Sequence, residues 1–440
     1  MRTWATRATL PIALLVGVAL ALVPAGTPRG GRALTGFERR GGTSWTTTVE
    51  ERDYLRALTT SAAGDRAGWA ASGITVRRVG TSARGRAVDL ITLTSARPVA
   101  EPIRVLFVCG QHGDEPAGRE ACLKLIRDLA SDRSAAGRRL LERVTVSVLP
   151  TPNPDGLVAA TRATSTETDL NRDHLALVTP EARAIRRVIR ELRPHVVHDL
   201  HEFDTSAGTY STPTLYLWPR NPNVDPAVRS LSVELARDRI GPALRAAGWG
   251  AGVYGRTTGE RPPGEDTDER MLRNAAALEH AVAVLVEVQS KPVSPLEERD
   301  AGLLGRRRAA AHMVAARATL RMAAERADAI VAATRESRER AELGGAIVRF
   351  DDPEAPDEGD ERRGEATIES PCAYRLSRSG FEGARLTLSA HGIRVGSDLR
   401  VETAQPAGAL IPLLLDVRAP HPIADAVPVD CADDARGGSA

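Results

Sequence analysis

Residues 103–118, which read IRVLFVCGQHGDEPAG, combine a nearly all-apolar run with a polar turn that contains glycine. The apolar run, Ile103–Cys109, is typical of a central strand that is buried on both faces. Helix-type sequence follows from about Ala117 to Leu129. The order of strand, turn and helix indicates a unit of an α/β fold.

The same alternation continues on both sides of this unit. Further strands are predicted at residues 74–79, 87–93, 144–149, 195–200, 215–218 and 281–288. Helices are predicted at residues 49–63, 180–192 and 227–246. The pattern predicts an α/β fold with a mixed, largely parallel central sheet flanked by helices. Ligands of such sheets bind beyond the carboxyl ends of the strands, so polar residues at those ends are candidates for function.

Composition shifts along the chain divide it into segments. We expect a catalytic domain over residues 49–294, a helical segment over 295–344 and a β-rich C-terminal region over 345–431. Residues 27–48 are rich in Gly, Arg and Thr and are predicted to be a linker. Residues 432–440 are predicted to be a frayed tail.

The N-terminal segment has the pattern of a cleavable secretory signal over residues 1–26. Arg2 and Arg7 precede an apolar run, Pro11–Val23, and small residues follow at Ala25 and Gly26. The run is shorter than the roughly 20 residues that span a bilayer comfortably. We therefore expect a secreted or extracytoplasmic protein without membrane insertion after cleavage. An uncleaved anchor is the alternative.

The overall charge favours neither nucleic acid nor acidic lipid as a partner. The 440 residues include 59 Lys and Arg and 57 Asp and Glu, which gives a net charge of +2. The arginine run Arg306–Arg308 is expected on a solvated helix face. No nucleic-acid partner is predicted.

The four cysteines permit two disulfides in an exported chain. Cys372 and Cys431 are candidates for one, since both lie in the C-terminal part. Cys109 and Cys122 can form the other only if a strand end and the next helix bring their Cα atoms within about 7 Å. No pair has the CxxC spacing of a cysteine zinc site.

Three polar residues at predicted strand ends have the chemistry of a zinc site. His112 and Glu115 are three residues apart in the turn after the first buried strand, and zinc favours nitrogen and oxygen donors. His201 follows the strand at 195–200 and is the candidate third ligand. Side chains alternate along a strand, so His198 should face away from His201, and His195 and His198 are expected to be packed and hydrogen-bonded. Asp199 is a candidate to orient a ligand.

These and further motifs resemble the M14 zinc carboxypeptidases, and the compact bacterial members in particular. The resemblance runs from about residue 86 to 290. It is carried in order by His112-x-x-Glu115, Asn153-Pro154-Asp155-Gly156, Arg162, Asp169-Leu170-Asn171-Arg172, Asp199-Leu200-His201 and Glu287. Each motif alone is modest, but the set in this order is specific.

The resemblance implies a role for each matched position. His112, Glu115 and His201 would bind one zinc ion per chain. Glu287, a carboxylate in the apolar stretch 285–288, would be the general base that takes a proton from zinc-bound water. Arg162 would stabilise the oxyanion.

Substrate contacts are also implied. Asn171 and Arg172 would hold the terminal carboxylate of a peptide, for which the planar guanidinium of arginine is suited. Tyr254, or else Tyr210, is the candidate for a tyrosine that caps the substrate. The residue that reads the last side chain of the substrate is expected between about 250 and 280.

Three alternatives to a secreted carboxypeptidase remain open. One is an amidohydrolase that acts on N-acyl amino acids, as in the desuccinylase and aspartoacylase branch. Another is a peptidoglycan stem-peptide hydrolase of the same fold. The last is a binding module without catalysis, against which the complete residue set argues.

Overall fold

The computed structural model describes residues 33–64, 73–204, 210, 212–254, 267–350 and 366–431. The predicted signal, residues 1–26, and the predicted tail, residues 432–440, lie outside this part of the chain. The described residues from 34 onward belong to one compact unit. Within the described residues, no helix has the length and apolar character needed to cross a membrane.

An eight-stranded mixed sheet forms the centre of the molecule. Its strands are β1 (Gly73–Thr81), β2 (Ala87–Thr94), β3 (Ile103–Cys109), β4 (Val144–Leu149), β5 (Val196–Phe203), β6 (Thr214–Leu217), β7 (Ala251–Val253) and β8 (Val282–Gln289). They are ordered β1-β2-β4-β3-β5-β8-β6-β7. The four central strands, β4-β3-β5-β8, are parallel, whereas β1 with β2, β2 with β4 and β6 with β8 are antiparallel. The predicted fold class is confirmed.

Helices cover both faces of this sheet and continue into the C-terminal part. They are α1 (Gly36–Arg39), α2 (Thr48–Gly64), α3 (Pro116–Ser131), α4 (Ala135–Arg143), α5 (Pro154–Ala159), α6 (Pro180–Leu192), α7 (Pro226–Val233), α8 (Gly241–Ala246), α9 (Leu272–Leu278), α10 (Pro295–Arg299), α11 (Ala301–Glu325), α12 (Ala327–Leu343), α13 (Arg378–Ala390) and α14 (Ile411–Leu415). The single helix predicted at 227–246 is instead α7, a π-helical stretch (Glu234–Ile240) and α8. The start of α6 follows its sequence signals, since the Thr179 side chain accepts a hydrogen bond from the Ala182 amide and Pro180 occupies the first turn.

Side chains alternate along β5, so successive residues of this strand lie on opposite faces of the sheet. His198 contacts Phe107 of β3 and lies 2.8 Å from the Thr319 hydroxyl of α11. Val197, one residue earlier, belongs to the core on the opposite face, with Leu106 and Ile185. Asp199 and His201 share the Val197 face, because side chains of a strand alternate. His198 and His201 therefore face differently, as predicted.

The segment predicted as a linker is folded from residue 33 onward, which corrects that prediction over residues 33–48. Helix α1 begins with a reciprocal capping box between Thr35 and Glu38. Phe37 is buried, and its ring stacks on Trp45 with 4.8 Å between centroids. The Thr46 hydroxyl donates to the carboxylate of Glu120 on α3 at 2.7 Å. Aromatic packing and these caps compensate for the Gly- and Thr-rich composition.

The C-terminal part contains two small sheets as well as helices. Strands β9 (Ile347–Phe350) and β10 (Ala366–Glu369) pair with each other, and β11 (Ala373–Leu376) pairs with β12 (Arg400–Glu402) and β13 (Ala426–Val429). Leu388 of α13 and Leu413 of α14 pack in one core with the α6 residues Ile185 and Val188. The predicted helical and β-rich extension is present, and it shares its core with the central sheet.

Two cysteine pairs are bonded, Cys109 with Cys122 and Cys372 with Cys431. The first pair joins the end of β3 to α3, with 6.9 Å between Cα atoms. Both candidate pairings are therefore present.

The arginine run at the start of α11 is not a solvated face, contrary to the prediction. The Arg307 side chain is buried against Glu297 at 2.9 Å, and the Arg308 guanidinium binds the buried Glu202 carboxylate of β5. Two of the three arginines in the run therefore form ion pairs inside the protein. Each neutralises a carboxylate whose burial would otherwise be unfavourable.

Candidate metal centre

The turn after β3 brings the first two predicted ligands together. His112 Nδ1 lies 2.6 Å from Glu115 Oε1, and both side chains are buried. Gly113 is required here, because a Cβ at this position would lie 1.9 Å from the backbone carbon of Gly156. The close approach lets the Gly113 amide donate to the Thr161 carbonyl at 2.9 Å. The turn is thereby fixed against the loop that follows α5.

His201 completes the group from the neighbouring strand. Its Nδ1 lies 2.9 Å from Glu115 Oε2 and 3.1 Å from His112 Nδ1. One donor atom from each of the three residues falls within 4.8 Å of the others. Two histidines and one carboxylate that leave a further position open are the ligand set of catalytic zinc sites.

The second nitrogen of each histidine is held by a carboxylate. His112 Nε2 lies 3.0 Å from Asp169 Oδ1, and His201 Nε2 lies 3.0 Å from Asp199 Oδ1. Metal-binding histidines almost always donate their other ring N–H in this way, which fixes the ring and raises its basicity. The donor set and its supporting carboxylates fit a zinc ion. Asp199 occupies the orienting position that the sequence suggested for it.

The electrostatics of the group favour positive charge. Burial lowers the pKa of His201, but the charges of Asp199 and Glu115 outweigh burial and leave that pKa well above its usual value. Burial opposes ionisation of Glu115, yet the neighbouring His112 and His201 hold its pKa far below the usual range. The negative charge of Glu115 and Asp199 would likewise stabilise a metal cation between these side chains.

Glu287 lies beside the group on β8. It is the register partner of His201 across the parallel β5–β8 pair, so the two side chains leave the sheet on the same face. Its Oε2 is buried and has no hydrogen-bond partner among the described residues. Burial raises the pKa of Glu287 to about 7, although His201 acts in the opposite direction. This carboxyl can therefore gain and lose a proton near neutral pH.

Arg162 reaches the group from the loop after α5. Its Nη1 lies 3.2 Å from Glu115 Oε1, and its Nε donates to Asp169 Oδ2 at 3.0 Å. The side chain is 49% exposed, so one edge of the guanidinium faces open space. Asn153 connects this loop to the turn after β3. Its side-chain amide donates to the Gln111 carbonyl at 2.9 Å, and its side-chain oxygen caps the start of α5.

Asn171 and Arg172 are placed differently from each other. Asn171 is buried; its Nδ2 lies 3.2 Å from His201 Nε2, and its Oδ1 accepts a hydrogen bond from the Leu272 amide at 2.9 Å. Arg172 is partly exposed, and its Nε lies 3.5 Å from Asp268 Oδ2. Asn171 Oδ1 is thus held by the protein, whereas its Nδ2 lies beside a His201 nitrogen that already directs its proton at Asp199. The Arg172 side chain remains 28% exposed.

Tyr254 and Tyr210 lie together. Their rings stack with 5.6 Å between centroids, and Tyr254 follows directly on β7. Residues 255–266, within the stretch expected to read the substrate side chain, lie outside the described part of the chain. The placement of Tyr254 therefore leaves its substrate-capping role a prediction.

Sequence reasoning assigned no role to Asp169, Gln111 or His174. His174 Nε2 donates to Gln111 Oε1 at 2.6 Å, and Gln111 Nε2 donates to Asp199 Oδ1 at 2.8 Å. Burial lowers the pKa of His174 to about 4, so its ring is neutral and can serve as a fixed donor. A chain of hydrogen bonds therefore supports the carboxylate that holds His201. The only sequence feature that could have indicated a role for Asp169 and His174 was their position close to Asn171 and Arg172.

A second group of potential metal ligands is made by Asp268, Glu269 and His421. The Asp268 carboxylate is already bound by Arg270 at 2.9 Å and approached by Arg172. This neutralisation makes the second group a poor cation site.

Comparisons with known proteins agree with this geometry. The family model described as zinc carboxypeptidase, Peptidase_M14, matches residues 70–187. That range contains His112, Glu115, Arg162, Asn171 and Arg172, whereas His201 and Glu287 lie beyond it. The predicted resemblance to the M14 zinc carboxypeptidases is confirmed.

Curated relatives include carboxypeptidase 2 of Trichophyton rubrum, 34% identical over 207 residues, and carboxypeptidase 2 of Trichophyton equinum, 33% identical over 208 residues. Each alignment covers 44% of this chain and 38% of the relative, so the chain spans less than half the length of these proteins. Solved structures also align with it. The metallo-carboxypeptidase from Pseudomonas aeruginosa does so with a TM-score of 0.47 and 19% identity, over 63% of this chain and 69% of that chain. Carboxypeptidase A from Helicoverpa armigera aligns with a TM-score of 0.47 and 19% identity, over 64% of this chain and 75% of that chain.

Proposed function

We propose that this chain, which carries an M14 zinc carboxypeptidase region, is a secreted enzyme that hydrolyses the C-terminal peptide bond of peptides. One observation carries the proposal. His112 Nδ1, His201 Nδ1 and the Glu115 carboxylate converge beside the Glu287 carboxyl, whose Oε2 is buried without a hydrogen-bond partner among the described residues. Secretion rests on the N-terminal signal pattern of the sequence.

His112, Glu115 and His201 would hold one zinc ion. Zinc in such a site acts as a Lewis acid and lowers the pKa of water toward neutrality. Asp169 and Asp199 fix the orientation of the two histidine rings through their Nε2 atoms. Their negative charge also increases the affinity of the site for a cation.

Glu287 is the group that moves the proton. Burial raises the pKa of Glu287 to about 7, which suits a group that accepts and releases a proton near neutral pH. The same carboxyl can then donate that proton to the leaving amine. The lack of a competing hydrogen bond at Oε2 keeps this oxygen available for the transfer.

Arg162 supplies fixed positive charge on the exposed side of the centre. Two carboxylates, Glu115 and Asp169, hold its guanidinium, which therefore needs no reorientation as negative charge develops on the substrate oxygen. Arg172 is the candidate partner of the substrate carboxylate, and Tyr254 is the candidate cap. Asn171, whose Oδ1 is fixed by the Leu272 amide at the start of α9, is the second candidate partner of that carboxylate through its Nδ2.

The test is hydrolysis of a panel of N-blocked dipeptides with a free C-terminal carboxylate, alongside the same peptides as C-terminal amides. We expect cleavage of the acids and not of the amides, loss of activity with a chelator and recovery on adding zinc. The variant Arg172→Gln should raise KM for the acids by about tenfold or more. The matched control is Arg378→Gln, which removes an exposed arginine at the start of α13.

Other outcomes identify the alternatives. Cleavage of N-succinyl amino acids without peptides would indicate an acyl-amino-acid amidohydrolase. Release of fragments from purified cell wall, with the peptide panel uncut, would indicate a stem-peptide hydrolase. A protein that binds no zinc stoichiometrically would refute the proposal.

A further inference from the structure

A cavity of about 230 Å³ lies at the edge of the sheet opposite the metal centre. Pro194, two residues before β5, and Ala281, directly before β8, are part of its lining. His201 and Glu287 lie near the other ends of these two strands, about 20 Å away at roughly 3.3 Å per residue. The cavity is therefore separate from the proposed catalytic centre.

Positive charge dominates the walls of this cavity. Its arginines are Arg186, Arg190, Arg193, Arg338 and Arg394. Only one carboxylate, that of Glu279, is among the lining residues, and it pairs with Arg186. The walls come from α6 and the turn after it, the start of β8, α12 and the C-terminal region. Arginine side chains from several separate parts of the chain thus line the same cavity.

Three of these arginines lack a carboxylate partner. Within the described residues, Arg193, Arg338 and Arg394 form no ion pair. By contrast, Arg190 donates to the Ser389 carbonyl at 2.7 Å, and Arg186 donates to the Ala390 and His391 carbonyls. Burial lowers the pKa of Arg338, and the positive charge of Arg193 lowers it further, whereas the charge of Glu342, also on α12, acts in the opposite direction. Like charges so placed repel each other unless an anion lies between them.

The helix dipole explains only part of this cluster. Cations are favoured at the C-terminal end of a helix, and Arg190 and Arg193 lie at the end of α6. Arg338 lies before the last turn of α12, and Arg394 lies in a loop after α13. Their convergence on the same cavity needs another reason.

His391 is a neutral, buried side chain in the wall of the cavity. Its side chain lines the cavity and is 3% exposed as a residue. His391 Nε2 donates to the Leu175 carbonyl at 2.8 Å, which leaves Nδ1 as an acceptor in the neutral ring. That Nδ1 is buried without a hydrogen-bond partner among the described residues, and the Glu279 carboxylate lies 3.7 Å away. Buried polar atoms in native proteins are almost always satisfied.

We propose that this cavity binds a small multivalent oxyanion of the phosphate class, either phosphate itself or a small molecule that bears it. Guanidinium groups match the oxygens of phosphate in geometry and charge. The volume is several times the roughly 30 Å³ that one water occupies, so such an anion fits. Because its walls come from α6, α12 and the C-terminal region, the bound anion would fasten these parts together.

The test is calorimetric titration of the zinc-loaded full chain with sodium phosphate and with pyrophosphate, at about 150 mM chloride. We expect saturable binding of one anion per chain. The double variant R338Q/R394Q should weaken it by at least about tenfold, since two charge-assisted contacts are removed. The matched control R335Q/R378Q removes two exposed arginines outside the cavity and should bind like the parent.

Two further arms identify where the anion binds and whether the variants fold. R162Q, which alters the metal centre, should keep the binding, whereas loss in R162Q would place the anion at that centre and overturn the proposal. Phosphate should raise the melting temperature of the parent and of R335Q/R378Q but not of R338Q/R394Q. If R338Q/R394Q unfolds, the single variant R394Q, at an exposed position, replaces it.

Two results would refute the site outright. One is the absence of phosphate binding above the chloride background. The other is equal weakening in both double variants, which would mean diffuse surface charge. Neither measurement depends on peptide hydrolysis, so failure here is distinguishable from failure of the proposed enzymatic function.

Discussion

Glu287 and His201 are register partners on adjacent parallel strands, and the buried Oε2 of Glu287 has no hydrogen-bond partner among the described residues. An apolar strand would ordinarily exclude a carboxylate, because burying its charge is unfavourable. The position beside the three candidate metal ligands gives this carboxylate a use. Burial raises its pKa to about 7, where proton transfer in both directions is efficient.

We expect the variant Glu287→Gln to lose about 10²- to 10⁴-fold in kcat while keeping one zinc per chain. The amide has the same shape but cannot accept the proton. Hydrolysis of blocked dipeptides and zinc analysis of the same preparation measure the two properties. Activity within about twofold of the parent enzyme would contradict the general-base role.

Asp169 connects the metal centre to Arg162, because one carboxylate oxygen binds His112 Nε2 and the other binds Arg162 Nε. The variant Asp169→Asn should weaken zinc affinity by about 10- to 100-fold, since an amide orients the ring less well. Competition with a chromogenic chelator measures the affinity. The control is Asp173→Asn, which alters the hydrogen bonds to Val178 and Thr179 and should leave zinc affinity unchanged. Equal affinities for all three proteins would refute the orienting role of Asp169.

The disulfide Cys109–Cys122 closes a segment that contains both His112 and Glu115. Replacing both cysteines by serine should lower the free energy of unfolding by about 3 kcal/mol and also weaken zinc binding. The paired change at Cys372 and Cys431 should lower stability without changing zinc affinity, because that bond lies in the C-terminal part. Urea denaturation and zinc titration of both variants test this. Identical zinc affinities would show that the turn is held by packing alone.

His312 of α11 predicts a pH dependence of stability. Burial lowers the pKa of His312 to about 3, aided by the nearby charges of His198 and His201, and neither ring nitrogen has a hydrogen-bond partner among the described residues. The contribution of a histidine with a depressed pKa is complete above about pH 6.5 and is lost as pH falls. Between pH 8 and pH 5 the loss is about 2 kcal/mol, from 1.5 pH units at roughly 1.4 kcal/mol each.

The variant His312→Leu lacks this titration. Its stability relative to the parent protein should therefore rise by about 2 kcal/mol on going from pH 8 to pH 5. Urea denaturation at both pH values, with chelator present in each, measures the difference. Parallel pH profiles of the unfolding free energy would show that the pKa of His312 does not differ between the folded and unfolded states.

The grouping of the candidate metal ligands could be predicted because each follows a recognisable strand. His112 and Glu115 come after the apolar run of β3, and His201 ends β5, so the rule that ligands bind at strand ends was sufficient to group them. Glu287 was identified as an isolated charge in an apolar strand. These signals are local, and they need no knowledge of the tertiary contacts.

The supporting contacts could not be predicted in the same way. The hydrogen bonds from His174 to Gln111 and from Gln111 to Asp199 join residues far apart in the sequence. The burial of Arg307 and Arg308 was missed because the Ala- and Arg-rich helix shows no periodicity that marks Glu202 and Glu297 as partners. Such pairs depend on how elements meet, which alternation and propensity do not determine.

The core shared by α6 and the C-terminal region has a practical consequence for expression of the protein. A fragment that stops at residue 294 would keep every proposed catalytic residue but lose the side chains of Leu388, Leu413 and Leu414 that cover Ile185 and Val188. The uncovered apolar surface would favour aggregation in the producing cell. Recombinant production and proteolytic trimming should therefore retain the chain through Cys431, even though the match to the family model ends at residue 187.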